Sequence, residues 1–324
     1  MRKYKNILIT GADGFIGLNF VKHMLANKKE FGFDKLVAID NLSMGSTGEL
    51  WKIEDEKLDS YILDINHTEI EHIMFEQHDI DCVVHFAAES HVDRSIEDPL
   101  AFIRTNVLGT ANLLNAAKNY WQDKPNTLFH HISTDEVFGE ATDHPFVETD
   151  IYNPRSPYSA SKASSDHLVR SFHETYGLNI TISNCGNNYG PYQNNEKLIP
   201  KIIENALCGK SIPVYGDGKQ KRNWLYVEDH CIAITTIIFN AKIGETFLIG
   251  SENTTENLYI ITSILNKLNS SEDLIEFVED RLGHDVIYDI CSDKIQKDLH
   301  WYPQTRLDDG LARTIKHYKN KLRK

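Results

Sequence analysis

Short apolar runs of strand length alternate with stretches of helical periodicity through the first half of the chain. Asn6-Ile7-Leu8-Ile9-Thr10, Leu36-Val37-Ala38-Ile39, Tyr61-Ile62-Leu63, Cys82-Val83-Val84-His85-Phe86 and Leu128-Phe129-His130-His131-Ile132 read as strands buried on both faces. Helices are predicted from the glycine-rich turn after the first strand to about residue 25, over about 69–77, over about 99–120 and over about 157–176. This βαβ rhythm predicts an α/β fold: a Rossmann-like, doubly wound parallel sheet with right-handed crossovers. After about Cys185 the pattern loosens into short apolar segments broken by Gly, Pro and Asn turns, which predicts a smaller domain capping the carboxyl edge of the sheet. Trp224-Leu225-Tyr226-Val227 is expected to return to the larger domain, so the smaller one is discontinuous. The expected division is residues 1–185, with a return segment at about 224–250, against residues 186–223 and 251–324.

Composition narrows the partners. The chain has 324 residues, 41% apolar and 25% charged, an ordinary globular mix that supplies a sizeable core. A formal charge of -13 argues against DNA or RNA as the general partner, while a small phosphorylated ligand needs only local amides and a few cations. The five cysteines are scattered, with no Cys-x-x-Cys pair, which suits reduced thiols in a cytoplasmic protein. Met1-Arg2-Lys3-Tyr4-Lys5-Asn6 leads straight into a strand without the apolar region of a signal peptide, and no run approaches the length of a membrane helix. Neither a nucleic-acid nor a membrane partner is expected. The fifteen histidines include the adjacent His130 and His131, but none sits in a ligand-spaced cluster, so no metal is expected.

The turn Gly11-Ala12-Asp13-Gly14-Phe15-Ile16-Gly17 lies between the first strand and its helix. There glycines permit a tight turn and close approach of the backbone to a pyrophosphate at the helix N-terminus. Asp40 ends the second strand about twenty residues later, where a carboxylate accepts from ribose hydroxyls and repels a 2′-phosphate; this favours NAD over NADP. Ala87 and Ala88, at the end of another strand, are small enough to let a cofactor lie against the backbone, and serve equally as packing residues.

The candidate chemistry follows the fifth predicted strand. In Ser133-Thr134-Asp135-Glu136 two adjacent carboxylates stand just beyond a strand's carboxyl end, where parallel sheets place their sites. Successive strand residues face opposite ways, so Asp135 and Glu136 reach one ligand only if the strand has already given way to a turn, which the nearby Gly139 favours. Tyr158-Ser159-Ala160-Ser161-Lys162 puts a phenol and an ammonium one helical turn apart, and an adjacent ammonium is expected to favour the phenolate of a candidate base.

The glycine-rich turn and the Tyr158-x-x-x-Lys162 pair resemble those of the extended short-chain dehydrogenase/reductase superfamily. Within it the chain is similar to the dTDP-glucose 4,6-dehydratases of deoxysugar and rhamnose biosynthesis, over nearly its whole length. The likeness is carried by Ala87-Ala88-Glu89-Ser90-His91-Val92-Asp93-Arg94-Ser95, Ser133-Thr134-Asp135-Glu136-Val137-Phe138-Gly139, Asn187-Asn188-Tyr189-Gly190-Pro191-Tyr192, Glu196-Lys197-Leu198-Ile199-Pro200, Tyr215-Gly216-Asp217-Gly218 and Trp224-Leu225-Tyr226-Val227-Glu228-Asp229-His230. The resemblance implies a redox-neutral lyase with NAD as bound catalyst and a nucleoside-diphosphate glucose as substrate. Tyr158 would take the proton of the sugar's 4-hydroxyl, steadied by Thr134, while hydride passes from carbon 4 to NAD; Lys162 completes the pair. Glu136 would remove the hydrogen on carbon 5, Asp135 would protonate the departing 6-hydroxyl, and hydride would return to carbon 6. Further implied cofactor contacts are Phe15, Ile16, Asp64 and Ile65, and implied substrate contacts are Ser90, Asn187, Lys197, Leu198, Pro213, Tyr215, Arg222, Asn257, Arg281 and His284. The helices bearing Phe102, Ile103, Val107 and Leu168, Val169, Phe172 would also pair across a two-fold axis into a four-helix bundle, making a homodimer.

The chain departs from the family pattern at Asn223 for Asp, at Asn194-Asn195 for an aromatic-Pro pair, at Val286-Ile287 for basic residues and at Ser43-Met44-Gly45-Ser46 for the usual adenine loop. These spare the catalytic set but leave a UDP-, CDP- or GDP-sugar as the alternative to a dTDP-sugar. A nucleotide-sugar 4-epimerase is the nearest rival, although it needs no acid/base pair after Thr134. A noncatalytic NAD sensor would be expected to lack Tyr158, Lys162 or the carboxylates, and all are present.

Overall fold

Seven parallel strands form the main sheet: β1 (Asn6–Thr10), β2 (Lys35–Asp40), β3 (Leu58–Ile62), β4 (Cys82–His85), β5 (Leu128–Thr134), β6 (Ile180–Cys185) and β10 (Thr246–Ile249). The computed structural model describes residues 2–122, 124–251, 254–280 and 285–322. The spatial order is β10-β6-β5-β4-β1-β2-β3, so the chain moves outward from β1 in one direction and then outward from β4 in the other. That reversal leaves a crevice at the carboxyl ends of β1 and β4, the place where doubly wound sheets bind ligands. Every residue of β4, β5 and β6 is buried, polar and apolar alike, as in a parallel sheet covered on both faces. One core cluster packs helix Phe15–Ala26 and helix Val227–Asn240 on one face through Phe20, Val21, Cys231 and Ile234. The other uses Leu113, Leu114, Phe129, Val169 and Ile182.

The remaining strands are short. β7 (Asn187–Tyr189), β9 (Lys221–Tyr226) and β11 (Thr254–Glu256) make a three-stranded sheet, and β8 (Ile212–Tyr215) pairs with β12 (Ile275–Val278). A separate cluster around Tyr189, Ile203, Trp224, Ile261 and Leu311 holds these elements together. Trp224-Leu225-Tyr226 therefore lies in β9 of the three-stranded sheet, and the return to the main sheet is made one step later, by helix Val227–Asn240 and β10. An apolar run followed by an acidic helix start marks both possibilities equally in sequence; the pairing of β9 with β7 decides between them.

Two predicted helices carry wider turns than expected. Residues 99–120 run as an α-helix from Pro99 to Phe102, a π-helical segment Ile103–Gly109 and an α-helix Thr110–Tyr120. Gly109 closes the π segment where a Cβ would collide with the Ile65 side chain, so its missing side chain admits Ile65. The second π segment, Glu71–Glu76, lies inside the predicted 69–77 helix. Helix Pro157–Tyr176 matches its sequence signals closely: Ser156 and Ser159 form a capping box, Pro157 occupies the first turn and Gly177 ends it at φ 68°. Among the described residues, no helix is long and apolar enough to cross a membrane.

Candidate active site

The glycine-rich turn brings β1 hard against the segment after β4. A Cβ on Gly11, which has φ 64°, would lie 2.7 Å from Ala87 Cα. A Cβ on Gly17 would be driven into the Gly11 carbonyl oxygen, so the first helical turn seats directly on the loop. Replacing Gly17 with alanine is expected to destabilise the fold by roughly 2 kcal/mol or more and to weaken NAD binding, checked by denaturant melts and NAD titration. Gly14 caps helix Phe15–Ala26 without a side chain, leaving its first N–H groups available to an anion at the cavity wall. At the far end Asp40 is buried, and its carboxylate accepts from Asp13 N at 3.0 Å, Leu42 N at 2.8 Å and Ser46 Oγ at 2.6 Å. A carboxylate has about four acceptor positions, so one stays open to a ribose hydroxyl.

Gly11, Gly14, Phe15, Ile16, Gly17, Asp40, Ile65, Ala87 and Ala88 all line one continuous cavity, and the turn, the uncapped helix end and the pinned Asp40 together suit a dinucleotide. Asp64 is not among the lining residues; its exposed carboxylate accepts from Asn41 Nδ2 and from Asn66. Sequence reasoning missed Asp13, which is fully buried and accepts from Thr47 Oγ1 at 2.8 Å, Gly48 N at 2.7 Å and Leu50 N at 2.9 Å. It thereby fastens the loop after β2 to the glycine turn. Its signal was an acidic residue inside a turn meant for an anion.

The same cavity continues to Thr134, Asp135, Glu136, Tyr158 and Lys162. β5 ends at Thr134, and Asp135–Phe138 winds into a 3-10 turn capped by Thr134 Oγ1, which accepts from Glu136 N at 3.3 Å. This break in the strand lets neighbouring carboxylates share one cavity. Gly139 follows at φ 82°, where a Cβ would strike the Asn153 carbonyl oxygen. Asp135 is buried, and burial, then the charge of Glu136, push its carboxyl up to about 8 against the pull of Arg222. The shift favours its protonated form. Glu136 is only half-buried.

Tyr158 and Lys162 meet the same wall, but the expected lowering of the phenol is not seen. Burial first and Glu136 second push the Tyr158 phenol well above its ordinary value. Lys162 Nζ donates instead to the Ile132 carbonyl at 2.8 Å, and burial lowers its ammonium to about 8. Helical spacing put both groups at one cavity wall, and burial is the first cause of both shifts.

A second cavity opens from the first, and Glu136, Asn187, Asn188, Gln193 and Lys197 line both. Leu198, Pro213, Tyr215, Arg222 and Asn257 line the second, whereas Ser90 lies in the first, its carbonyl accepting from Lys197 Nζ at 2.8 Å. Arg281 and His284 lie outside the described residues. Buried polar atoms without a protein partner gather on the second cavity's side chains, among them His91 Nδ1, Gln220 Oε1, Trp224 Nε1 and Asn257 Oδ1, as a polar ligand requires. Arg222 is buried, donates to the Asp285 and Val286 carbonyls and stacks 4.3 Å from the Tyr288 ring. Tyr288, which sequence reasoning missed, donates to Asp285 at 2.6 Å; burial and then Glu136 raise its phenol. Its signal was proximity in sequence to Asp285.

The departures from pattern have local partners. Asn223 Nδ2 donates to the Ser251 carbonyl at 3.0 Å and to Asp289 at 3.4 Å, where an aspartate would oppose a second carboxylate. Asn194 Nδ2 donates to the Met44 carbonyl at 3.1 Å, tying together the two atypical loops beside the cofactor cavity. Val286 and Ile287 act through their backbone, as with Val286 N donating to Glu140 at 2.9 Å.

A family model described as GDP-mannose 4,6 dehydratase matches residues 8–314. The chain belongs to this family. A dTDP-glucose 4,6-dehydratase of Escherichia coli is 47% identical, the match covering 96% of this chain and 92% of the relative. One from Neisseria meningitidis serogroup B is 46% identical, covering 97% of this chain and 93% of its own. The structure of the dTDP-glucose 4,6-dehydratase from Streptomyces venezuelae, solved with NAD bound, superposes with a TM-score of 0.92 at 38% identity, covering 97% of each chain. A UDP-glucose 4-epimerase from Thermotoga maritima shares the family fold at a TM-score of 0.89, but at 27% identity, over 98% of this chain and 99% of its own.

Proposed function

We propose that the protein is a dTDP-glucose 4,6-dehydratase, a hydro-lyase that converts the nucleotide sugar to its 4-keto-6-deoxy form with no net oxidation. The observation that carries this reading is the acid/base pair: a buried Asp135, its carboxyl raised by burial and by the charge of Glu136, next to Glu136 where the two cavities join. NAD, held by the glycine turn, Asp40, Ile65 and Ala87-Ala88, supplies hydride acceptance and return when bound. The chain's own groups do the proton work. Tyr158 takes the proton of the 4-hydroxyl as a phenolate, a form that burial and Glu136 disfavour in the protein alone and that the positive nicotinamide of bound NAD would favour together with Lys162; Thr134 steadies the hydroxyl. The new ketone acidifies carbon 5, Glu136 takes that hydrogen, and Asp135 gives its proton to the 6-hydroxyl as water leaves. An epimerase has no use for a second, protonated carboxyl at this point.

In this reading residues 1–185 with a return through 227–250 bind the cofactor, and residues 186–226 and 251–324 bind the nucleotide sugar. Asn187, Lys197, Leu198, Pro213, Tyr215, Arg222 and Asn257 hold the nucleotide diphosphate and Ser90 lies near the sugar; Arg281 and His284 carry the same role by resemblance alone. A homodimer is part of the reading: Leu100, Ile103 and Leu108 are 60%, 41% and 56% exposed along one side of the 99–120 helix, as a four-helix bundle would need.

The test is to incubate the NAD-loaded protein with dTDP-glucose and UDP-glucose separately and to follow product mass. Loss of one water from dTDP-glucose is expected, with UDP-glucose much slower. An unchanged mass with a new sugar configuration would make it an epimerase, and no reaction with any hexose nucleotide would overturn the enzyme reading.

A further inference from the structure

Beneath Lys162 lies a closed polar cluster that the proton steps above leave unused. Tyr158, Lys162, Asp166 and Arg170 recur every four residues along helix Pro157–Tyr176 and so share one face. Asp166 is fully buried; its Oδ2 accepts from Ser133 Oγ at 2.9 Å, Tyr152 Oη at 2.8 Å and Asn184 Nδ2 at 3.0 Å. Its Oδ1 faces His131 Nε2 at 3.3 Å. The same Nε2 lies 3.5 Å from Lys162 Nζ, so the imidazole stands between carboxylate and ammonium. Burial, then Lys162, lower His131 to about 4, so the ring is neutral and adds no competing cation at neutral pH.

We propose that Asp166, acting across His131, is the positioning counter-ion that keeps Lys162 in its ammonium form beside Tyr158. The proposal rests on the dehydratase reading and deepens it. A buried ammonium far from water is costly unless a fixed negative charge faces it. Burial works to raise the Asp166 carboxyl, but His131, Lys162 and Arg170 together outweigh it and hold Asp166 ionised. Around Lys162 the other titratable groups are Tyr158 on its own helix, His85 on β4 and Cys185 on β6, with Asp135 and Glu136 on the 3-10 turn. Of these, the two carboxylates serve the substrate, one of them as an acid without charge at neutral pH. Asp166 alone is buried, ionised and closed off from the cavity.

Asp166→Asn is a suitable probe, because an amide oxygen keeps the three donors on Oδ2 satisfied. The amide nitrogen then donates to His131 Nε2, whose proton moves to Nδ1, which lacks a partner. The titration of Lys162 is read from 13C-labelled lysine by NMR in the full-length protein without substrate, the signal assigned by its loss in Lys162→Arg. In Asp166→Asn the Lys162 midpoint is expected to fall by about one pH unit or more, a tenfold loss of proton affinity. The alkaline limb of dehydration moves down with it, whereas a purely structural loss lowers the rate by one factor at every pH. Arg170→Gln, at a half-buried position, frees the Asp166 charge for Lys162 and moves the midpoint the opposite way. If Asp166→Asn does not fold, Arg170→Gln carries the test. An unmoved midpoint in either folded variant overturns the proposal. Because that midpoint is read without substrate, it stands whether or not the unmodified protein dehydrates dTDP-glucose.

Discussion

Replacing Glu136 with glutamine should stop water elimination while hydride transfer from the sugar continues. The amide preserves the side chain's shape at the junction of the two cavities but cannot accept the hydrogen from carbon 5. Dehydration is expected to fall by roughly 10²- to 10⁴-fold, the usual worth of a positioned base, with reduced nicotinamide accumulating in a single turnover. Stopped-flow absorbance and product mass together check this. A second effect has a definite sign: without the Glu136 charge, the Asp135 carboxyl loses one of the two causes that raise it, so its titration moves to lower pH. A variant that dehydrates as fast as the unmodified protein would remove Glu136 from the role of base.

Asp135→Asn should be both less active and more stable. Activity falls by a similar roughly 10²- to 10⁴-fold, because the 6-hydroxyl no longer receives a proton as it leaves. Stability moves the other way. Asp135 has a folded-state value of about 8 against an ordinary 3.8, so folding takes up a proton anywhere between the two. Its contribution is fully present below the unfolded value and is lost progressively as pH rises through the folded one. Asparagine has no such slope. At pH 8 the variant should therefore exceed the unmodified protein by at least ~1 kcal/mol in denaturant melts, with the gap narrowing toward acid. A variant less stable at alkaline pH would mean that Asp135 is ionised in the fold, and the acid role would go with it.

Much of this site was legible along the chain because its parts are local. The alternation of apolar runs gives five strands of the sheet, the glycines mark the turn that approaches a phosphate, and Gly139 signals that β5 has ended where two carboxylates begin. Tyr158 and Lys162 announce each other by spacing alone. What could not be read comes from packing between distant segments. His131 belongs to a predicted interior strand and Asp166 falls, without a signal of its own, within the predicted 157–176 helix; only the packing of that helix on β5 sets them 3.3 Å apart. The phenol of Tyr158 was expected to be lowered by its lysine, yet its burial depends on the whole cavity wall and wins. Asp64 has the sequence position of a cofactor contact but stands outside the cavity lining, its exposed carboxylate accepting from Asn41 and Asn66. The return at Trp224 was placed early because an apolar strand does not state which sheet it will join.

The four-residue recurrence from Tyr158 to Arg170 makes the length of that helix as important as its composition. An α-helix turns by about 100° per residue, so one inserted or deleted residue between Tyr158 and Lys162 would swing the lysine, Asp166 and Arg170 away together. Point changes can be absorbed singly there, but a shift in frame cannot. Natural variation in chain length should therefore gather beyond Gly177 and in the surface loops, leaving this segment the same number of residues long in every working relative.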